Sequence, residues 1–242
     1  MQNTPVKLTT LLFLAGTLAI SAQQPQIQNG QVEARHVTSL DRDIAAIAAA
    51  AAEPTWVGWR EVASSGIGNS CCWYQWDGEP SQRGCPVEPA AKDANGNTIP
   101  TRPQFAAPSG PARLEAGTEV LVMVRLVDKQ VERVRTFSDD CPLDAGNRKV
   151  YWLDGVPAAD SVKYLDSLIT LGEKSGLPND QRRRLNSSAI GAIGMHRDGS
   201  IDLLIALAKQ NQDSSARSAA FNWLGRSRDS KAIAFIDGIL KR

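Results

Sequence analysis

Four cysteines, two of them side by side, constrain this chain more than any other feature. Cys71 and Cys72 are adjacent in Gly68-Asn69-Ser70-Cys71-Cys72-Trp73-Tyr74-Gln75-Trp76, and Cys85 and Cys141 complete the set. What they do depends on the compartment. The N-terminus reads as an export leader: Lys7 supplies the charge, Leu8 to Ile20 an apolar run, and Ser21-Ala22 small residues for cleavage. That run is shorter than the roughly 20 apolar residues a membrane span needs. The expectation is a leader over residues 1–22 and a periplasmic or secreted product with no membrane attachment after cleavage. An even cysteine count in an exported chain reads as disulfides. Joining Cys71 to Cys72 would close a very small strained ring, so one pairs with Cys85 and the other with Cys141. The spacing leaves open which takes which. A zinc site is disfavoured: there is no C-x-x-C, and the two histidines, His36 and His196, lie far away in sequence.

Lys plus Arg number 27 and Asp plus Glu 26, which gives no electrostatic case for nucleic acid as a partner. The leftover functional classes are protein, carbohydrate or small-molecule binding, and catalysis.

The pattern along the chain divides it in four. After the leader, residues 23–54 open with a Gln-rich, polar stretch expected to be flexible. An alanine-rich helix follows, started by Ser39 or Asp41 and stopped by Pro54. Residues 55–156 read as an antiparallel β module. Its clearest strand is Glu119 to Val127, where Val120, Val122, Val124 and Leu126 alternate with Leu121 and Met123. Both faces are apolar, so this strand is central. Asp128-Lys129-Gln130 turns the chain into a partner strand, Val131 to Phe137. Asp144-Ala145-Gly146-Asn147 is expected to turn, with a last strand over Lys149 to Leu153. Residues 157–242 are helical to the end.

Within that last part an apolar spacing recurs. Val162, Leu165, Leu168 and Ile169 match Ile201, Leu204, Leu207 and Ala208, and then Ile233, Ile236, Ile239 and Leu240. Asp198, Asp213 and Asp229 each precede a helical run, as N-caps do. The stretch SSARSAAFNWLGRSRDSKAIAFIDGIL, together with DCPLDAGNRKVYWLDGV, resembles HEAT-repeat proteins, in particular secreted bacterial ones. The resemblance covers residues 158 to 242. It implies a right-handed stack of antiparallel helix pairs that binds protein. The expected fold is therefore α+β: a small disulfide-stapled antiparallel β module followed by a short HEAT-like α-solenoid.

No catalytic fingerprint is present: no G-x-S-x-G, H-E-x-x-H, Walker or dinucleotide motif. No cofactor or metal is expected. His196 reads as a surface residue at a helix end. Asp139, Asp140 and Asp144 read as turn and cap residues, as does the Asp93 to Asn97 loop. The candidate partner-facing residues are Arg182, Arg183 and Arg184 with Trp56 and Trp59. Three consecutive arginines on a helix cannot share one face. Trp56, Trp59, Trp73, Trp76 and Trp152 could form a stacking platform or fill a core. The leading functional reading is an exported, non-enzymatic protein-interaction module. The alternatives are an enzyme resembling HEAT-type lyases and a carbohydrate or cell-wall binder working through tryptophans.

Overall fold

The computed structural model describes residues 25–64, 70–74, 82–91, 93–99, 105, 117–172 and 177–241. The expected leader and Trp76 lie outside them. The core is a mixed sheet with helices on one face and a disulfide-tied layer on the other. Its strands are β1 (Ile27–His36), β2 (Thr55–Val62), β5 (Cys85–Pro86), β6 (Glu119–Val127), β7 (Gln130–Ser138) and β8 (Leu143–Asp154). β3 (Trp73–Tyr74) and β4 (Gln82–Arg83) form a separate two-stranded piece. The order is β1-β8-β2-β6-β7, with β5 beside β8.

β6 holds the interior position its two apolar faces predict. It pairs antiparallel with β2 on one side and β7 on the other. Val122, Val124 and Leu126 join Val57, Trp59 and Val134 in the core beneath the helices. Leu121 and Met123 join Trp56, Trp152, Phe137, Cys85 and Cys141 on the opposite face. The alternation is the period-two geometry of a strand buried on both sides.

Three expectations are corrected by this sheet. The Gln-rich segment is strand β1, paired parallel to β8 from Ile27↔Leu143 to His36↔Asp154. The sheet is not purely antiparallel, because β2 also runs parallel to β8. The expected turn at residues 144–147 is an irregularity inside β8, where Gly146 and Asn147 have φ of 59° and 62° and the register with β1 shifts.

The helices are α1 (Leu40–Ala50), α2 (Ala158–Gly172), α3 (Asn179–Met195), α4 (Ser200–Gln210), α5 (Ser214–Arg226) and α6 (Ser230–Leu240). Ser39 occupies the N-cap of α1 without a side-chain bond; the Asp43 carboxylate instead accepts from the Thr38 and Ser39 N–H groups. Asp213 and Asp229 cap α5 and α6 as expected. Asp198 does not, because Gly199, at φ 80°, takes the cap position of α4.

The anticipated small β module followed by a solenoid is not what the chain builds. Leu40, Ile44 and Ile47 of α1, Val162, Leu165 and Leu168 of α2, and Leu185 and Ile190 of α3 share one continuous core with the sheet. Burying one such side chain contributes about 1.5–3 kcal/mol. α1, α2 and α3 thus share their apolar faces with the sheet, whereas α4, α5 and α6 pack on one another and on α3. The third apolar set ends the stack uncovered: Ile233, Ile239 and Leu240 are exposed.

Candidate functional site

The cysteines pair as Cys71–Cys141 and Cys72–Cys85, the scheme in which neighbours take distant partners. The two bridges touch: Cys85 Sγ lies 3.8 Å from Cys141 Sγ, inside the layer below the sheet. Cys71, Cys85 and Cys141 have the clustering of a metal site, but every sulfur is committed to a bridge, leaving no thiolate to ligate. Their role is to tie the Ser70–Tyr74 and Cys85–Ala90 segments to the sheet.

A second cluster lies on the helix face. Trp59 and Glu61 stand two residues apart on β2 and so point the same way. The Trp59 indole N–H donates to Ser161 Oγ on α2 at 2.7 Å. Ser161 Oγ lies 2.8 Å from His196 Nε2, and His196 Nδ1 lies 2.7 Å from the Ala192 carbonyl. A carbonyl only accepts, so Nδ1 carries a proton and neutral His196 accepts the Ser161 hydroxyl at Nε2. Burial pushes Glu61 up to about 7, helped by the nearby Asp198 charge and opposed by its bonds to Ser161 and Trp59. Burial likewise lowers His196, against the bond to Ala192. Trp59 thus donates to Ser161, Ser161 to His196, and His196 to the backbone, while Glu61 Oε1 is buried beside them without a hydrogen-bond partner among the described residues.

A serine, a histidine and a carboxylate are the residue types of acyl transfer. Here Ser161 is fully buried, His196 is 1% exposed and Glu61 is 5% exposed. The histidine is oriented by a carbonyl, not by the carboxylate. No substrate reaches the hydroxyl, and the cluster acts as a polar joint. Backbone bonds reinforce it: Ser64 N–H to the Met195 carbonyl and Arg197 N–H to the Val62 carbonyl. The surface position expected for His196 is thus corrected, because the α3–α4 turn folds back onto the end of β2.

Trp56 and Trp59 are also core residues, both fully buried. Neither presents a face to a partner, and Trp152 is buried with them. Trp56 donates from its indole nitrogen to Glu88.

The open site runs along β7, the last strand in the sheet order. A cleft of about 1020 Å³ is lined there by Glu132 to Arg135, by Pro86 and Glu88 to Ala90, and by one flank of α3 carrying Asp180, Arg183, Arg184 and Ser188. The Pro86–Ala90 strap belongs to the disulfide side of the sheet and α3 to the helix side, so the strand edge forms the floor between two walls. The register shifts where Leu126↔Val131 gives way to Arg125↔Arg133, so Glu132 is the extra residue of a bulge.

The cleft's acids are matched and two of its arginines are not. Glu88 accepts from Arg125 at 2.7 Å, and Glu132 also bonds Arg125. Burial raises the Glu88 pKa, but its bonds to Arg125 and Trp56 outweigh that and hold it low. Asp180 lies 3.8 Å from Arg184. Arg135 reaches the Pro86 carbonyl and stacks over Phe137 at 4.7 Å. Among the described residues, no carboxylate pairs with Arg133 or Arg183. Of the three expected arginines, Arg183 and Arg184 face the cleft and Arg182 does not line it. Arg133 was missed because its strand reads from sequence only as the charged partner of β6.

A smaller, apolar hollow of about 540 Å³ lies between α1, α2 and the β6–β7 turn, lined by Ile44, Ala48, Leu126, Tyr164, Leu168 and Leu185.

No family model, curated protein or solved structure matches the chain.

Proposed function

We propose that the protein is an exported, non-enzymatic binding module that holds an acidic segment of a partner protein in the β7 cleft. The carrying observation is the charge balance: the cleft's acids already have cations, while among the described residues Arg133 on the β7 floor and Arg183 on the α3 wall have no carboxylate. Arginine's planar fork is suited to carboxylate recognition and is less strongly hydrated than a lysine ammonium. Export is supported by the two disulfides, which persist in oxidising compartments, and by the leader-like N-terminus. Among the described residues no helix is long and apolar enough to cross a membrane. The non-enzymatic part is supported by the sealed Ser161–His196 pair.

Titrating fluorescent glutamate-rich and lysine-rich peptides against the full chain tests this reading. Only the acidic peptide binds, its affinity falls as salt rises, and Arg133→Glu with Arg183→Glu weakens it tenfold or more. Equal binding of both peptides, or indifference to the charge reversals, contradicts it.

A further inference from the structure

We infer that β1, at the sheet edge opposite the β7 cleft, is the pairing surface for a second copy of this chain, with the two β1 strands antiparallel about Ala34. This surface shares no residue with the cleft. β1 is the first strand in the sheet order and has a neighbour, β8, on one side only. Its alternation fixes which backbone groups are free. Val37 N–H donates to the Asp154 carbonyl on β8 at 2.9 Å. Gln31, Glu33 and Arg35 share its parity and turn their backbone toward β8, so the N–H and C=O of Val32, Ala34 and His36 point outward. Among the described residues, none of these outward groups has a backbone partner.

The edge is open. Asn29 to Val32 and Ala34 to His36 are all exposed, Val32 at 36%. An edge of this kind is usually blunted by proline, by like charges or by a bulge. β1 contains no proline. Its bulge lies between Gln28 and Gly30, where Asn29 has φ of 49°, and leaves Gly30 to His36 regular. Its two charges, Glu33 and Arg35, are opposite in sign.

Those charges select the register. Glu33 and Arg35 lie on the helix side of the sheet, level with Tyr151 and Leu153 of β8. There Arg35 stacks over Tyr151 at 4.3 Å and bonds Glu33, which Lys149 also reaches at 2.8 Å. In an antiparallel pair centred on Ala34, each Glu33 stands opposite the second copy's Arg35. These are the non-hydrogen-bonded positions, where side chains approach most closely. Val32 and His36 stand opposite one another and exchange backbone bonds, as do the two Ala34 residues. On the disulfide side of the sheet this seats the exposed Val32 against the second copy's His36. Centring the pair on residue 33 or 35 sets Glu33 opposite Glu33 or Arg35 opposite Arg35, and centring it on Val32 sets Arg35 against the bulge. The strand is self-complementary in the Ala34 register.

Sedimentation velocity on the purified protein, over about a hundredfold range of concentration, tests the pairing with Glu33→Arg, Arg35→Glu and Ala34→Pro. The unaltered chain is expected to sediment as a dimer that dissociates on dilution. Each charge reversal alone sets like charges opposite one another and weakens dimerisation at least tenfold. An equal mixture of the Glu33→Arg and Arg35→Glu chains restores it, because positions 33 and 35 of one variant then oppose positions 35 and 33 of the other with opposite sign. Proline removes the outward N–H at the centre and is tolerated at an edge, so Ala34→Pro also weakens dimerisation at least tenfold with its far-UV spectrum unchanged. If that variant fails to fold, the mixture decides alone. A chain monomeric at every concentration, or a dimer indifferent to the substitutions, overturns pairing through β1. Reversals that dissociate the dimer without recovery on mixing overturn the antiparallel register about Ala34. Either failure leaves the acidic-segment reading of the β7 cleft standing.

Discussion

The Ser161 hydroxyl lies 2.8 Å from His196 Nε2, a bond between the first turn of α2 and the end of α3 that is wholly shielded from water. It makes one buried hydroxyl the centre of a polar joint between sheet and helices. Substituting it leaves the Trp59 N–H and the His196 ring nitrogen without partners. Each orphaned buried group costs about 1–3 kcal/mol. Ser161→Ala is therefore expected to lower unfolding stability by about 2–4 kcal/mol in a denaturant titration. The Ser161→Ala, His196→Ala double variant should lose less than the sum of the two single losses, since both remove the same bond.

The Glu61 carboxyl gives this joint a pH signature. Its folded pKa of about 7 lies above its ordinary 4.5, so the folded state holds a proton that the unfolded state releases. Its unfavourable ionisation is absent below about pH 4.5, grows as pH rises, and is complete above about pH 7. His196, lowered by burial, acts oppositely: it costs stability as pH falls below 6.5. Glu61→Gln removes the first contribution and keeps the second. Its melting temperature relative to the unaltered protein is expected to rise between pH 4.5 and 7 and then level off. A difference that stays flat or falls across that window contradicts the protonated carboxyl.

The two bridges should differ in weight. Cys71–Cys141 closes a separation of 70 residues and Cys72–Cys85 one of 13. In the chain-entropy model the short loop contributes about 3 kcal/mol and the long one about 1.5 kcal/mol more. Replacing Cys71 and Cys141 with serine should lower the melting temperature more than replacing Cys72 and Cys85. Stepwise reduction with peptide mapping checks the pairing itself.

Gly58 sits where β2 passes closest to the tryptophan layer. A Cβ there would lie 2.4 Å from Met123 Sδ and 3.0 Å from the Trp152 ring. The thioether can move aside; the ring is held among buried neighbours. Gly58→Ala is expected to cost about 1–3 kcal/mol by overpacking, read by calorimetry.

What the sequence displayed and what it hid follow from where each residue makes its contacts. β6 was legible because both of its faces are buried, and the aspartate caps of α5 and α6 were legible because capping is local. β1 was hidden: it is an edge strand with most side chains in solvent, so its polar composition resembles a loop. It is held by backbone pairing to β8, more than a hundred residues onward. The apolar spacing of Val162, Leu165 and Leu168 showed a helix face but not what covers it, and a sheet covers it as well as a neighbouring repeat would. His196 carried no local sign of burial, because Ser161 reaches it through tertiary packing. In the cleft, Arg183 and Arg184 stood out as a charge run, whereas Arg133 acquired meaning only once α3 and the strap faced each other across β7.

Amide hydrogen exchange, measured with and without the glutamate-rich peptide, tests the cleft account most directly. Binding in the cleft slows amides near Arg133 on β7 and Arg183 on α3, while those of β1, at the opposite edge of the sheet, change little. No slowing at β7, or protection confined to the apolar hollow around Tyr164 and Leu168, would show that the peptide binds elsewhere and contradict the account.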